Sequence, residues 1–284
     1  MDSNKAAVIG AGVMGMGVAL NLALYGFEVI LIDNDESVLQ DVPQKISADF
    51  RMVKMMGHKM KELDLQQVLN RIHLSCEYTM LGNAAVIIEN ISEDWSKKEC
   101  LYRGVRDILH PDAIIAINTS CNSITKVAAC FVRPENVIGA HFMNPVVLKD
   151  LVEVIRGYHT AEKTIEKLRA FLAGIGKKAV VVNDLPGFVS NRLSHLFMNE
   201  AAFLVQDQVA VPRDIDLIFT AGYGHAMGPL ATADLIGLDT VVQSLTILYD
   251  SYQDPKFRCC PLLVKMVQAG LLGRKSGQGF FTYS

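Results

Sequence analysis

The stretch HFMNPVVLKDLVEVI, residues 141–155, sets one imidazole and one carboxylate, His141 and Glu153, on two neighbouring segments rich in strand-forming residues. Between them lie an Asn-Pro turn and a lysine, Lys149. A histidine ionises near neutrality, and a carboxylate on its second nitrogen fixes the tautomer and steadies the cation, so the pair is a candidate general base with its orienting acid. The alternative is a packed histidine and a surface glutamate that never meet.

A second stretch with chemical content is GAGVMG, residues 10–15. It follows a short apolar run and opens a helical pattern, and the next apolar run ends in Asp33. In that context Gly10 permits a tight turn, Gly12 lets backbone approach a pyrophosphate, and Gly15 lets helix and strand pack closely. Val13 and Met14 stand at the helix N-terminus, whose unpaired N–H groups and partial positive charge suit phosphates. Asp33 accepts hydrogen bonds from ribose hydroxyls and repels a 2′-phosphate, and Asn34 and Asp35 offer no arginine to rescue one. The expected cofactor is NAD rather than NADP. The competing reading is a glycine-rich turn beside a solvated acid.

The elements that would position these groups alternate between strand and helix. Strands are expected at residues 6–9, 27–32, 85–88, 113–117, 137–140 and 178–182, with helical segments between them. Strand ends are where this architecture places chemistry. After three of them come Glu89, Asn90 and Glu93 with Lys98 beyond, then Asn118-Thr119-Ser120, then His141 itself. Ser120 reads equally as a helix cap. Residues 36–69 read as helical, with Pro43 near a helix start and Gly57 as an interruption. Within them Arg51, Lys54, His58 and Lys61 form one basic stripe, which is either a solvated face or a contact for coenzyme A phosphates or an acidic carrier protein.

Asp184-Leu185-Pro186-Gly187 is a breaker cluster and the expected boundary, giving domains at residues 1–184 and 185–284. Beyond it helices are expected at residues 191–207, 213–220, 230–249 and 262–269. Several carry apolar residues on more than one face, as in a domain that packs on a second copy of itself.

Half of the 284 residues are hydrophobic and the net charge is −3, with no basic excess for nucleic acid. The partners to expect are small molecules or proteins. The cysteines at 76, 100, 121, 130, 259 and 260 show no metal-ligand spacing, so no metal is expected and they read as reduced thiols of a cytoplasmic protein. The apolar stretch at residues 6–32 is long enough for a membrane span, but its glycines argue against one, and a strand pattern at the N-terminus leaves no room for a signal peptide.

The chain resembles the 3-hydroxyacyl-CoA dehydrogenases. The likeness runs through GAGVMGMGVA, the NTS of residues 118–120, HFMNP, LVEVI, PGFVSNR, MGPLATADLIGLD and GRKSGQGFF, in that order and spacing. It implies an α/β fold: a Rossmann-like NAD-binding domain followed by an all-α substrate and dimerisation domain. It also implies that His141 takes the proton of the substrate hydroxyl and that Glu153 orients the imidazole. By the same resemblance Ser120 and Asn191 hydrogen-bond the reacting oxygen, while Glu93, Lys98, Asn144 and Lys275 line the cofactor site. Folds outlive activities, so an inactive NAD-binding scaffold is the alternative of another class.

Three departures bear on the substrate. Lys149 stands where relatives commonly carry a methionine, Asn90 replaces the usual small residue, and Met55-Met56 follow Lys54 where lysine and glycine are common. A cation buried in the acyl region disfavours a plain hydrocarbon chain. The LK segment and CCPLL near Cys259 resemble a branch that oxidises seryl or glyceryl groups on an acyl carrier protein, toward aminomalonyl or hydroxymalonyl extender units for polyketide synthesis. That branch is the expectation, ahead of a short-chain 3-hydroxyacyl-CoA enzyme of fatty-acid or butanoate metabolism. Lys149 and Lys54 join Ser120 and Asn191 as expected substrate contacts.

Overall fold

A computed structural model describes residues 2–56 and 63–283. The chain divides into two compact units, Met1–Asp184 and Leu185–Ser284.

The first unit is built on one sheet of eight strands: β1 Asp2–Ile9, β2 Glu28–Ile32, β3 Ile72–Ser75, β4 Ala84–Glu89, β5 Ile114–Ile117, β6 Val137–Phe142, β7 Leu151–Arg156 and β8 Lys178–Asn183. Their order is β3-β2-β1-β4-β5-β6-β7-β8, and every pairing is parallel except β6 with β7. Helices α1 Val13–Leu24, α2 Glu36–Met55, α3 Leu65–Asn70, α4 Trp95–Val105, α5 Ile124–Ala128 and α6 Glu162–Gly174 connect them. The strand order reverses between β1 and β4, which opens a crevice beyond their carboxyl ends. The central strands read as continuous apolar runs because both faces are covered, and β5 is buried throughout.

β7 is antiparallel for a simple reason. The link from β6 spans residues 143–150, too short for a parallel crossover, which needs about a dozen residues or more. That link holds the cis Asn144–Pro145 peptide and a 3-10 turn, Val146–Leu148. The buried Lys177 ammonium ties it down, donating to the carbonyls of Val146 at 2.6 Å and Lys149 at 2.9 Å. Burial lowers the pKa of Lys177 to about 8, against a smaller opposing pull from Asp150.

Several boundaries differ from the sequence expectations. β3 was not expected: its four residues alternate in burial only weakly and lie at the sheet edge. Pro43 stands inside α2 rather than near a start, because the helix begins at Glu36 under an Asp35 cap that accepts from the Ser37 N–H. His58 and Lys61 of the basic stripe, with Gly57, lie outside the described residues.

The second unit contains α7 Ser190–Gln206, α8 Pro212–Leu217, α9 Pro229–Ile236, α10 Leu238–Tyr252 and α11 Pro261–Gln268. One continuous helix was expected over residues 230–249, but Gly237 at φ 102° breaks it into α9 and α10, which meet at a bend of 97°. A left-handed backbone of this kind stops the i to i−4 ladder whatever the side-chain period around it. No single helix among the described residues is long and apolar enough to cross a membrane.

Inside α7, His195 is 3% exposed. Its Nδ1–H donates to the Asn191 carbonyl at 2.9 Å, and its buried Nε2 has no hydrogen-bond partner among the described residues. Burial holds its pKa below the ordinary histidine value. The folded state therefore keeps this ring neutral while the unfolded chain takes up a proton once pH falls through about 6.5, so folding stability declines below that point. His195→Leu is expected to remove that decline. Thermal melts between about pH 7.5 and about pH 5.5 should show a smaller loss of Tm in the variant, worth about 1 kcal/mol. An equal loss in both proteins would contradict the assignment.

Candidate active site

His141 and Glu153 are direct cross-strand partners in the β6–β7 ladder. Opposite residues in an antiparallel pair project from the same face, and here the register brings the two side chains together. His141 Nδ1–H donates to Glu153 Oε2 at 2.9 Å, with the residues only 8% and 3% exposed. This bond fixes the tautomer and leaves Nε2 as the proton acceptor. Ser120 Oγ lies 3.3 Å from that Nε2. An imidazole, its orienting carboxylate and a hydroxyl are thus in line within the first unit. Ser120 is not a helix cap, because Ser123 takes that role at α5 by accepting from the Lys126 N–H.

The turn after β5 is held from both sides. Asn118 Oδ1 accepts from the Phe142 N–H at 3.1 Å, and its Nδ2 donates to Asn90 Oδ1 at 2.7 Å. Glu93 Oε1 accepts from the Ser120 N–H at 2.5 Å, while Oε2 accepts from the Thr119 hydroxyl and from Asn122 Nδ2, both at 2.6 Å. Asn90 also donates to the Ile88 carbonyl at 3.1 Å. Its amide is therefore engaged in the scaffold, which removes it as spare polar recognition for a substrate.

The cofactor side is formed by the turn from β1 to α1. Gly10 has φ 95°, and a Cβ there would stand 2.8 Å from the Asn90 carbonyl oxygen. A Cβ on Gly15 would run into the Gly10 carbonyl, while one on Gly12 would meet nothing, which is the open backbone that a pyrophosphate needs. No side chain caps α1 and no acid sits in its first turn, so its N–H groups are available to an anion. Val13 is exposed at the turn, and Met14 packs its side chain against the core. Asp33 Oδ2 accepts from the Ala11 N–H at 2.7 Å and Oδ1 from the Asp35 N–H at 3.0 Å, so this acid also shapes the turn. A cleft of about 950 Å³ opens here, lined among others by Gly10, Gly12, Asp33, Asn34, Tyr78 and Ser92. These residues fit a dinucleotide: α1 N–H groups for the phosphates and Asp33 for a ribose.

Two residues expected on the cofactor side, Lys98 and Glu93, are bonded within the protein. Lys98 is completely buried, with Nζ donating to both oxygens of Glu89 at 2.8 Å. Glu89 also accepts from Tyr102 Oη at 2.5 Å and the Ile91 N–H at 2.6 Å. Burial pushes the Glu89 carboxyl upward and these donors pull it back. The α4 lysine on the cleft is the neighbouring Lys97. Glu93 accepts from the Ser120 N–H, and its neighbours Ser92 and Ser96 line the cleft.

Lys149 is exposed in the β6–β7 link. Asn144 is exposed in the β6–β7 link. Lys54 is exposed in the last turn of α2, 5.2 Å from the Phe50 ring centroid. Asn191 and Lys275 belong to the helical unit, Asn191 in the first turn of α7 and Lys275 in an ion pair with Asp239 at 2.5 Å. Sequence reasoning missed Tyr78 and Lys97, while Asn118 was named there as a strand-end residue without a role. Lys97 had a detectable signal, since Lys97, Leu101, Gly104 and Ile108 share one helical face while Lys98, Tyr102 and Val105 share the buried one.

The thiols differ in reactivity. Burial and the nearby Glu93 charge push Cys121 up to about 12, burial pushes Cys259 to about 11, and Cys130 and Cys260 are raised by burial. Cys76 and Cys100 are exposed, and Cys100 lines the cleft. Brief treatment with N-ethylmaleimide should label Cys76 and Cys100 and spare the other four, and saturating NAD should protect Cys100. Peptide mass spectrometry reads this directly, and labelling of Cys100 at an undiminished rate with NAD bound would contradict the cleft assignment.

Comparison with known proteins places the whole chain. Residues 5–185 match the model of the 3-hydroxyacyl-CoA dehydrogenase NAD binding domain, and residues 187–283 match that of the 3-hydroxyacyl-CoA dehydrogenase C-terminal domain. A probable 3-hydroxybutyryl-CoA dehydrogenase of Bacillus subtilis (strain 168) is 42% identical over 283 residues, covering 100% of this chain and 98% of the relative. One from Deinococcus radiodurans is 42% identical over 280 residues, covering 98% and 100%. The crystal structure of (S)-3-hydroxybutyryl-CoA dehydrogenase from Ralstonia eutropha superposes with TM-score 0.93 at 36% identity, covering 100% of both chains. A glycine-rich cofactor turn, a histidine–glutamate pair and full-length matches in both units lead to one conclusion: the chain belongs to the 3-hydroxyacyl-CoA dehydrogenase family, NAD-dependent oxidoreductases that act on a CH–OH group.

Proposed function

We propose that this chain interconverts a short-chain 3-hydroxyacyl-CoA and its 3-keto form, with 3-hydroxybutyryl-CoA as the substrate of choice. The observation that carries the reading is the buried His141–Glu153 pair with Ser120 Oγ 3.3 Å from His141 Nε2. In oxidation, His141 Nε2 takes the proton of the C3 hydroxyl while Glu153 holds the Nδ1–H and offsets the charge on the ring. Ser120 donates to or accepts from the reacting oxygen and keeps it at Nε2. Bound NAD would supply the acceptor for the C3 hydride, its phosphates at the α1 N–H groups and a ribose at Asp33. Asn191 is a second hydrogen-bond partner for the substrate, and Lys54 a contact for coenzyme A. Leu193, Leu217, Ile218 and Leu235, exposed in the helical unit, are the apolar surface for a homodimer.

The carrier-protein reading has lost its residue arguments. Lys149 is exposed and no hydrogen bond among the described residues ties its ammonium to an acyl site, and the Asn90 amide is bonded to Ile88 and Asn118. The relatives at 42% identity carry the 3-hydroxybutyryl-CoA name. The test is nicotinamide absorbance with a panel of thioesters. Acetoacetyl-CoA reduction is expected to exceed oxidation of seryl- or glyceryl-carrier protein in kcat/KM by about 100-fold or more. Faster turnover of a carrier-bound substrate would restore the polyketide reading, and no turnover of any thioester would favour an inactive scaffold.

A further inference from the structure

We infer that Lys177 is a positioning residue: it holds the β6–β7 link against α1 and thereby fixes the His141–Glu153 hairpin relative to the helix that meets the cofactor phosphates. The inference rests on the dehydrogenase reading above.

The reaction needs two parts of the first unit to stay in step. The cofactor turn opens α1, whereas the base and its carboxylate stand on the β6–β7 hairpin. In the sheet, β1, which leads into α1, is separated from β6 by β4 and β5. A displacement of about 1 Å between reacting groups can cost about 10²-fold in rate, so the packing that joins helix to hairpin bears on turnover.

That packing is a stripe along one face of α1. Gly17, Asn21 and Tyr25 follow an i, i+4, i+8 spacing, with Tyr25 at the C-cap. A Cβ on Gly17 would stand 3.1 Å from Val146 Cγ2, so the link seats directly on the helix there. The buried Asn21 donates from Nδ2 to the Ile175 carbonyl at 3.2 Å. Gly176, at φ 72°, lies under Tyr25, and a Cβ there would run into the tyrosine hydroxyl. Residues 175–176 thus rest on α1, and the next residue is Lys177.

Lys177 reaches from that seat to the link. It is 4% exposed, and its Nζ donates to the Val146 carbonyl at 2.6 Å and to the Lys149 carbonyl at 2.9 Å. The Lys178 N–H adds a bond to the Asp150 carbonyl at 2.6 Å. The Lys177 N–H donates to the Leu172 carbonyl at 2.8 Å, which ties the same segment to the last turn of α6. Val146 is therefore gripped twice, by its carbonyl from Lys177 and by its side chain on Gly17. An ammonium suits this place because carbonyls only accept, and one Nζ carries donors for both. Methionine has nearly the same length and no donor, so Lys177→Met would leave both carbonyls without this partner.

The test compares Lys177→Met, Gly17→Ala and the double variant at a temperature below every melting transition. Lys177→Met should lower kcat for acetoacetyl-CoA reduction by about 10- to 100-fold. The Kd for NADH, followed through the single tryptophan, Trp95, should stay within about threefold, because the cofactor turn and Asp33 are untouched. The primary isotope effect on kcat, with deuterium at the transferred position of NADH, should be at least as large as in the unsubstituted protein. Gly17→Ala presses on Val146 from the helix side and should lower kcat by about threefold or more, even where Lys177→Met fails to fold. Because both changes act through the seat of Val146, the loss in the double variant should fall short of the product of the single losses. A lower Tm with unchanged kcat would make Lys177 a stability residue only, and a reduced isotope effect would put the slow step elsewhere. Either result overturns the inference, as do losses that multiply. Hydrogen exchange of the 143–150 peptide, measured without cofactor or substrate, should quicken in Lys177→Met. Unchanged exchange would defeat the clamp, whereas quickened exchange in a protein inactive on all thioesters would defeat only the assigned reaction.

Discussion

His141→Gln is expected to lower turnover of 3-hydroxybutyryl-CoA and acetoacetyl-CoA by about 10²- to 10⁴-fold, the span that a positioned general acid–base supplies. Glutamine is close to the imidazole in length and its NH2 can still meet Glu153, so the β6–β7 ladder and the buried carboxylate remain satisfied. What it lacks is a basic nitrogen at the position of Nε2. The proton of the substrate hydroxyl then has only water or a weakly basic amide to go to. The cofactor site is built from a different part of the sheet, the β1–α1 turn and Asp33, so the Kd for NAD should remain within about twofold. Steady-state kinetics with both substrates and titration of Trp95 fluorescence with NAD separate the two effects. Near-normal turnover in the variant would sink the assigned mechanism, and a parallel loss of NAD binding would point to damage rather than to lost chemistry.

What could be read from the sequence was what backbone geometry demands of particular residue types. Gly10, Gly12 and Gly15 were legible because a tight turn, an open approach and a close helix each exclude a side chain, and the structure shows each constraint at its residue. The alternating order of strands and helices was legible for the same reason that β5 is buried on both faces: its residues could do little else. β3 escaped because a short edge strand with polar residues carries almost no periodic signal. The break at Gly237 escaped because a helical hydrophobic period continues through a glycine, while the left-handed backbone that stops the helix leaves no trace in that period.

Side-chain direction was the harder matter. Lys97 and Lys98 are adjacent, but successive helical residues point about 100° apart, which sends one ammonium to the cleft and the other beneath the sheet to Glu89. Lys149 drew attention because it differs in type from what relatives carry, yet type does not reveal exposure. The meeting of His141 with Glu153 was itself within reach of the sequence, since a link as short as residues 143–150 forces a hairpin. The register that gives the 2.9 Å bond goes with a link held by the Lys177 bonds to the Val146 and Lys149 carbonyls. Those are tertiary facts.

That bond yields the second large expectation. Glu153→Gln should reduce kcat by about 10²- to 10³-fold although the imidazole is untouched. While His141 is neutral, the Nδ1–H bond to a carboxylate is one hydrogen bond among many. Once Nε2 has taken the substrate proton, the ring is a cation in a site where both partners are nearly inaccessible to water, and the carboxylate becomes its counter-charge. Removing one partner of a buried pair costs about 3–5 kcal/mol, and each 1.36 kcal/mol at the transition state is about tenfold in rate. Glutamine also admits a wrong arrangement. Its NH2 can donate to Nδ1, which moves the ring proton to Nε2 and turns the base into a donor. Because Glu153 acts only through His141, the double variant His141→Gln/Glu153→Gln should be no slower than His141→Gln alone by more than about threefold. Losses that multiply in the double variant, measured with acetoacetyl-CoA at saturating NADH, would mean that Glu153 has a separate task at the substrate and that the two residues are not one acid–base unit.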